Sequence, residues 1–164
     1  MKNIFKIDGK VNIKALVISI LGTLLVGFLG YLSGRGYYND YLGLYKPSFS
    51  PPSFVFPVVW IILYILMAIA VYRVYMKKYS GVNIHKAIKL YGVQLLFNFL
   101  WPLLFFRFRL YGISFAELLL LLVFILLTTF EFIKKDKVAV FLMIPYIAWV
   151  SFAGVLNYAI WMMN

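Results

Sequence analysis

The chain has 164 residues, of which 65% are hydrophobic and only 13% are charged, and its mean hydropathy is +0.94. A soluble domain usually carries about 25% charged residues, so this composition excludes an ordinary soluble enzyme and indicates a membrane protein. The net charge of +11 does not indicate nucleic-acid binding, because the basic residues lie between apolar segments. The absence of cysteine excludes disulfide bonds and thiolate metal sites.

Five apolar segments are long enough to cross about 30 Å of hydrocarbon as helices. We predict spans at 13–33, 54–76, 88–107, 112–133 and 138–161. The first is not a cleaved secretory signal, because its apolar run exceeds about 7–15 residues and no small-x-small cleavage site follows it. The predicted fold class is therefore an all-α integral membrane protein, a five-transmembrane-helix bundle, with a single membrane domain over residues 1–164.

Small residues recur along the first helix, at Ser19, Thr23 and Gly27 and again at Gly30 and Gly34. Spacing of this kind permits close approach of another helix. That helix belongs either to the same chain or to a second copy in a dimer.

The segment 34–53 is the only long connection between the predicted helices. It contains Pro47, Pro51 and Pro52. Proline fixes φ and biases the preceding residue away from the helical region. We therefore predict a shaped, non-helical cap over one end of the bundle.

The second and third helices each place aromatic or polar side chains on one face. Trp60 and Tyr64 are four residues apart on the second, and Gln94, Asn98 and Trp101 stand at i, i+4 and i+7 on the third. Polar groups within a span usually face the bundle or a cavity. One interpretation is core packing and inter-helix hydrogen bonding; the other is a ligand site.

The fifth helix carries Trp149, Ala153 and Asn157 at i, i+4 and i+8, followed by Trp161. A small residue between Trp149 and Asn157 either leaves a concave patch for a ligand or simply allows close packing. Trp161 is typical of an interfacial anchor. Taken together, the three helices favour a large, flat, mostly apolar ligand with a few polar handles.

Conventional catalytic machinery is not predicted. The only histidine, His85, lies in a basic loop, and no GxSxG motif accompanies it. Glu117 and Glu131 are separated by about 21 Å of helix and cannot form a carboxylate pair. Glu117 is either an interfacial residue that pairs with Arg107 or Arg109, or a functional carboxylate. We predict no metal site, and the sequence leaves enzymatic activity undecided.

The distribution of Lys and Arg predicts the orientation in the membrane. Twelve lie at the N-terminus, in and beside the second-to-third connection and in the fourth-to-fifth turn, against four on the other side. By the positive-inside rule the N-terminus is cytoplasmic, and the expected location is a bacterial plasma membrane. We find no internal repeat, which argues against an inverted-repeat transporter.

Three segments resemble a known family. They are KPSFSPPSFVFPVVWIILYILMAIAVY (46–72), QLLFNFLWPLLFF (94–106) and PYIAWVSFAGVLNYAIW (145–161). With their Pro-Pro loop, W-x3-Y, Q-x3-N-x2-W and P-Y-x2-W-x3-A-x3-N-Y motifs, they are similar to bacterial members of the tryptophan-rich sensory protein/translocator protein family (TspO/MBR, the peripheral-type benzodiazepine receptor family). The match covers helices two to five in order.

The resemblance implies a five-helix bundle, commonly a homodimer, with a pocket beneath the first loop. That pocket binds porphyrins and isoquinoline carboxamide-type ligands in relatives. The positions that match it are Tyr41, Phe49, Trp60, Tyr64, Asn98, Trp101, Trp149 and Ala153. Tyr41 and Phe49 belong to the closing loop, Trp60 and Trp149 are candidate redox-active residues, and Glu117 matches a family carboxylate.

The sequence also departs from the family. Phe49 and Phe54 stand where relatives often have tryptophan, so two indole N–H donors are lost. The sterol motif of eukaryotic relatives ends in a basic residue, but Tyr158 is followed by AIWMMN. The missing basic residue argues against sterol binding.

The resemblance therefore implies a membrane receptor for tetrapyrroles, protoporphyrin IX or haem, with a role in porphyrin homeostasis or stress sensing. The porphyrin is a ligand, and no cofactor is required. Basic residues such as Lys46 are expected to meet its propionates. Light-dependent porphyrin degradation and transport of a tetrapyrrole or another small molecule are the alternatives. Any degradation would use the ligand's own chemistry, because the chain offers no acid-base machinery.

Overall fold

The computed structural model describes residues 4–164, except for the side chain of Tyr38. Five long helices are each long and apolar enough to cross a membrane. They are α1 (Ile13–Gly34), α3 (Val55–Met76), α4 (His85–Pro102), α5 (Tyr111–Ile133) and α6 (Lys137–Met163), with a short α2 (Tyr38–Leu42) in the first connection. The predicted fold class, an all-α integral membrane bundle, is confirmed.

The long helices form a closed ring. Helix α1 packs on α3, α3 on α6, α6 on α5, α5 on α4, and α4 returns to α1. The outer surface exposes large apolar side chains such as Leu21, Phe130, Phe141 and Val155. Such an outer surface suits contact with lipid. Because lipid tails offer no hydrogen-bond partners, polar groups of the helices must find partners inside the ring.

The first connection is partly helical, so the prediction of a non-helical cap over 34–53 was wrong for its first half. A 3₁₀ turn (Arg35–Tyr37) leads directly from α1 into α2. The prolines begin only at Pro47, so nothing upstream of them prevents helical backbone. From Pro47 to Ser53 the chain lies outside helices, as predicted.

The third predicted span, 88–107, begins three residues earlier than expected and changes its geometry near its end. Helix α4 ends at Pro102, and a π-helical turn (Leu103–Arg107) continues it. Proline has no N–H, so Pro102 cannot donate to the preceding turn. The wider turn that follows is closed by the N–H of Phe108, which donates to the carbonyl of Leu103 at 2.9 Å. This wider turn directs Phe105 into the bundle, where it is 3% exposed.

The small residues of α1 are used within the chain. Gly30 lies beside Pro102, and Gly34 lies beside Phe106. A Cβ atom on Gly27 would overlap the Tyr64 ring, at only 2.6 Å from its Cδ2 atom. Of the two uses that the spacing allowed, the close approach is therefore to α3 and α4 of the same bundle.

Polar contacts join the helices at the end that carries the N-terminus. Arg73 of α3 forms a two-pronged ion pair with Asp136, at 3.0 and 2.8 Å. Asp136 also caps α6 by accepting from the N–H of Ala139 at 2.9 Å. The Tyr72 hydroxyl donates to the carbonyl of Phe5 at 2.9 Å. The segment that precedes α1 is thereby held against α3.

Candidate functional site

The eight positions predicted for the site come from α2, the loop that follows it, α3, α4 and α6, and lie inside the ring or at its loop end. Trp60, Tyr64, Trp101, Trp149 and Ala153 belong to one core cluster. Tyr41 belongs to a second cluster nearer the loop, and Trp101 packs against both clusters. Phe49 and Asn98 join them through Phe152 and Tyr146.

The first part of the site is built by α3, α4 and α6. The rings of Trp60 and Tyr64 lie 5.5 Å apart and are tilted by 30°. Trp60 also meets Tyr146 edge-on at 6.4 Å. The Asn98 amide donates to the Tyr146 hydroxyl and, at 3.0 Å, to the Gln94 carbonyl. Asn98 is therefore fixed as a donor on both of its N–H groups.

The second part of the site is an aromatic row under the loop. Phe56 meets Trp149 edge-on at 5.8 Å, and Trp149 lies 5.5 Å from Phe152. Phe49 extends the row through Phe152 at 6.4 Å but is 49% exposed. Phe49 therefore contributes from the rim of the site, and Trp149 from its interior.

The third part of the site surrounds Trp101. Its ring stacks on Phe105 at 5.1 Å and meets Phe106 edge-on at 5.7 Å. Tyr41 covers both phenylalanines, at 6.2 and 5.6 Å. The Lys46 ammonium lies 4.8 Å from the centre of the Tyr41 ring. The first connection thus places the Tyr41 ring against the site and the Lys46 ammonium beside that ring.

Trp101 is also held by hydrogen bonds. Its indole N–H donates to the Asn157 side-chain oxygen at 3.1 Å, and the Ser114 hydroxyl donates to the same oxygen at 3.0 Å. The Asn157 amide donates to the Tyr111 carbonyl at 2.8 Å. Helices α4, α5 and α6 are locked together around one indole ring.

Several buried polar atoms near these rings have no hydrogen-bond partner in the described part of the chain. They are Nε2 and Oε1 of Gln94, Oδ1 of Asn98, both carboxyl oxygens of Glu117 and Nε1 of Trp149. The pairing of Glu117 with Arg107 or Arg109 was wrong as a prediction. Arg109 instead lies 2.5 Å from Asp40, because the tight turn before α5 directs it toward α2.

A depression of about 330 Å³ lies away from these rings, between α5 and α6 on the outer surface, and its lining includes Leu119, Ser151 and Val155. Phe105 and Phe106 lie between Tyr41 and Trp101 and contact both rings.

Sequence reasoning did not select Tyr146, Phe56 or Ser114. Tyr146 stands three residues before Trp149 on α6, a spacing that shares a helix face, so the P-Y-x2-W motif contained the signal. Phe56 stands one turn before Trp60 on α3 and carried the same signal. Ser114 carried none, because its role depends on Asn157 of another helix.

Comparison with known proteins identifies relatives across nearly the whole chain. The model of the TspO/MBR family matches residues 16–162. The chain is 35% identical to the tryptophan-rich protein TspO of Chlorobaculum tepidum, over 93% of this chain and 98% of the relative. It is 34% identical to the protein of the same name from Archaeoglobus fulgidus, over 93% and 99%.

A mammalian relative matches almost as well. The translocator protein of Ovis aries is 35% identical over 84% of this chain and 83% of its own length. The predicted resemblance, which rested on helices two to five, is thus confirmed, and the family match extends over most of α1 as well. The chain belongs to the TspO/MBR family.

Proposed function

We propose that this chain is a membrane receptor that binds tetrapyrroles, protoporphyrin IX or haem, and isoquinoline carboxamide-type ligands inside the helix bundle. Its role would be in porphyrin homeostasis or stress sensing. The observation that carries the proposal is the convergence of Trp60, Trp101 and Trp149, from three helices, on one core cluster. Indole faces from several directions suit a large planar aromatic ligand.

The polar groups around the rings support the same ligand class. The buried indole N–H of Trp149 and the side-chain oxygen of Asn98 have no hydrogen-bond partner among the described residues. Lys46 lies at the loop end beside Tyr41, where a cation suits the propionates of a porphyrin. In this arrangement the macrocycle lies among the tryptophans and its charged edge faces the loop.

The names of relatives suggest related roles. One relative from Cereibacter sphaeroides, 35% identical over 76% of this chain, is named tryptophan-rich sensory protein, and the mammalian relative is named translocator protein. A sensor, a porphyrin-degrading protein and a transporter would all need to bind the ligand first. Binding is therefore the property to test before the others.

We also propose a bacterial plasma membrane location with a cytoplasmic N-terminus, because the end of the bundle that holds the N-terminal segment carries most of the Lys and Arg. A homodimer is proposed from the family resemblance.

The test is a titration of the purified protein with protoporphyrin IX in the dark, followed by tryptophan fluorescence. Saturable quenching is expected, with affinity reduced about tenfold or more in Trp149→Phe, because an indole face and a donor are lost. The matched control is Trp161→Phe, on the same helix but outside the site, where the ring packs on Phe115. Absence of saturable quenching in folded protein would refute the proposal.

The same sample distinguishes the alternatives. Illumination that bleaches the bound porphyrin, and fails to do so in Trp60→Phe or Trp149→Phe, would assign light-dependent degradation. Accumulation of unchanged porphyrin in vesicles that contain the protein would assign transport. Saturable binding with neither effect is the result expected of a receptor.

A further inference from the structure

Glu117 differs from every other acidic residue of the chain. The other four have basic partners: Asp8 with Lys77, Asp40 with Arg109, Glu131 with Lys86, Lys134 and Lys135, and Asp136 with Arg73. Glu117 is only 6% exposed, and neither of its oxygens has a hydrogen-bond partner among the described residues. A buried carboxyl in a membrane span without a partner is costly and usually marks a functional site.

The position of Glu117 relates it to the tryptophan site. It stands three residues after Ser114 on the buried face of α5, and Ser114 shares the Asn157 oxygen with the Trp101 indole. Leu121, one turn further along the same face of α5, belongs to the core cluster against which Trp60 and Trp149 pack. The carboxyl therefore approaches the site from α5, a helix that contributes none of the eight predicted positions.

The buried polar atoms near Glu117 that lack partners indicate which hydrogen-bonding groups a ligand would have to supply. Asn98 has used both amide hydrogens, so its free Oδ1 is an acceptor, as are the carboxyl oxygens of Glu117. Among the described residues, the unpartnered donors near these rings are the Gln94 side-chain amide and the Trp149 indole N–H. Buried acceptors without donors are unfavourable. The missing complement for Asn98 and Glu117 is therefore a group that carries N–H, and an amide group also offers an acceptor to Gln94.

We infer that Glu117 is a specificity-determining residue, whose carboxyl accepts a hydrogen bond from an amide or ammonium N–H on the inner edge of a flat bound ligand. The inference rests on the proposed function, because it assumes that the ligand lies among the tryptophans. A ligand carboxylate at the inner edge carries no N–H, so it would leave the Asn98 side-chain oxygen and the Glu117 carboxyl without the donor that they lack. Carboxylates are therefore directed to the loop end, where Lys46 lies beside Tyr41.

Two uncharged porphyrins with the same macrocycle provide the test. The diamide of protoporphyrin IX carries N–H donors on its side chains, whereas the dimethyl ester carries only acceptors there. Both are titrated in the dark against the folded protein, with tryptophan quenching as the readout. Wild-type protein is expected to bind the diamide about tenfold more tightly than the ester, the value of one hydrogen bond to a charged or strongly polar acceptor.

Three variants assign the preference to the carboxyl. Glu117→Leu removes the acceptors and should bring the two affinities within about twofold, without weakening the binding of the ester. Glu117→Gln keeps one carbonyl acceptor and should retain part of the preference. Glu131→Gln, which neutralises a carboxyl at the other end of α5, is the matched control and should leave the preference unchanged.

The outcomes separate this inference from the proposed function. Saturable binding of both porphyrins with equal affinity by wild-type protein overturns the inference alone, and so does a preference that survives in Glu117→Leu. Equal affinities would mean that buried water satisfies the carboxyl instead of a ligand. If neither porphyrin nor protoporphyrin IX itself binds, both the inference and the proposed function fail. The wild-type comparison decides the matter even if a variant does not fold.

Discussion

Trp101 and Asn157 are joined by a hydrogen bond of 3.1 Å from the indole N–H to the side-chain oxygen, across the α4–α6 interface. Asn157 is 1% exposed, and its amide in turn donates to the Tyr111 carbonyl at 2.8 Å. One carboxamide on α6 thus bonds to the Trp101 indole on α4 and to the Tyr111 carbonyl on α5, and it sets the plane of the Trp101 ring. Trp149, in contrast, has no partner for its indole N–H in the described part of the chain.

Asn157→Leu should therefore affect both stability and binding. It leaves the Trp101 N–H without its acceptor, whereas the Ser114 hydroxyl keeps the Tyr111 carbonyl at 2.9 Å. The unsatisfied indole should lower the free energy of unfolding by about 1–3 kcal/mol. Porphyrin affinity should fall several-fold as Trp101 loses its fixed orientation. Unfolding in detergent and dark titration measure the two effects.

The control for Asn157→Leu is a double-mutant cycle with Trp101→Phe, which removes the donor. If the hydrogen bond matters, the double variant should lose less stability than the two single losses added together, with a coupling of about 0.5–3 kcal/mol. Strict additivity would show that Asn157 acts through packing and not through the indole.

Gly27→Ala should disturb the site from α1. The added methyl would lie 2.6 Å from Cδ2 of Tyr64, so the tyrosine or the helix must shift. Overpacking of this kind should reduce stability by about 1–3 kcal/mol, and porphyrin binding should weaken with it. Gly22→Ala is the matched control on the same helix, because nothing lies within 4 Å of its Cβ position. There, replacing glycine by alanine should be neutral or slightly stabilising. Equal effects of the two substitutions would contradict the prediction.

Arg73→Met should be strongly destabilising. It leaves the carboxylate of Asp136, which is 8% exposed, without its ion partner. Removal of one member of a buried pair costs about 3–5 kcal/mol, as measured by thermal or denaturant unfolding. Asp136→Asn in the same background should recover part of the loss, because the charge is removed while an oxygen remains to cap α6.

The control for Arg73→Met is Lys86→Met. The Lys86 side chain is 73% exposed, and its partner Glu131 keeps Lys134 and Lys135. This substitution should change stability by about 0–1 kcal/mol. A loss as large as that of Arg73→Met would mean that burial does not decide the strength of these pairs.

The segment before α1 should detach in acid. Hydrogen bonds from Lys77 and Ser80 hold the pKa of Asp8 below its usual value of 3.8. Because the folded pKa is lowered, the contact stabilises the segment above the unfolded pKa and is lost as the pH falls through the folded pKa. The protection of the segment's amides, measured as exchange relative to the intrinsic rate at each pH, should therefore fall below about pH 4. Asp8→Asn should exchange faster already at neutral pH and lose this dependence, and an unchanged acid transition in that variant would rule out Asp8 as its origin.

Hydropathy and periodicity by themselves determined the five spanning helices and the faces that carry Trp60, Asn98, Trp101 and Trp149. Each depends on local properties: the length of an apolar run and the repeat of 3.6 residues per turn. For the same reason the late prolines predicted the non-helical stretch that precedes α3. The motifs on helices two to five also sufficed to identify the family, since their order along the chain is a property of sequence alone.

Only the tertiary structure decided which groups meet. The order of helices around the ring brings Ser114 to Asn157, and it turns Arg109 toward Asp40 and away from Glu117. No local pattern contains these distances, because they depend on how two helices far apart in sequence are rotated against each other. The lack of a hydrogen-bond partner for Glu117 among the described residues is likewise visible only in the structure, because it depends on every side chain around the carboxyl. Helix formation is a matter of neighbouring residues, whereas the satisfaction of a buried polar group is decided by packing.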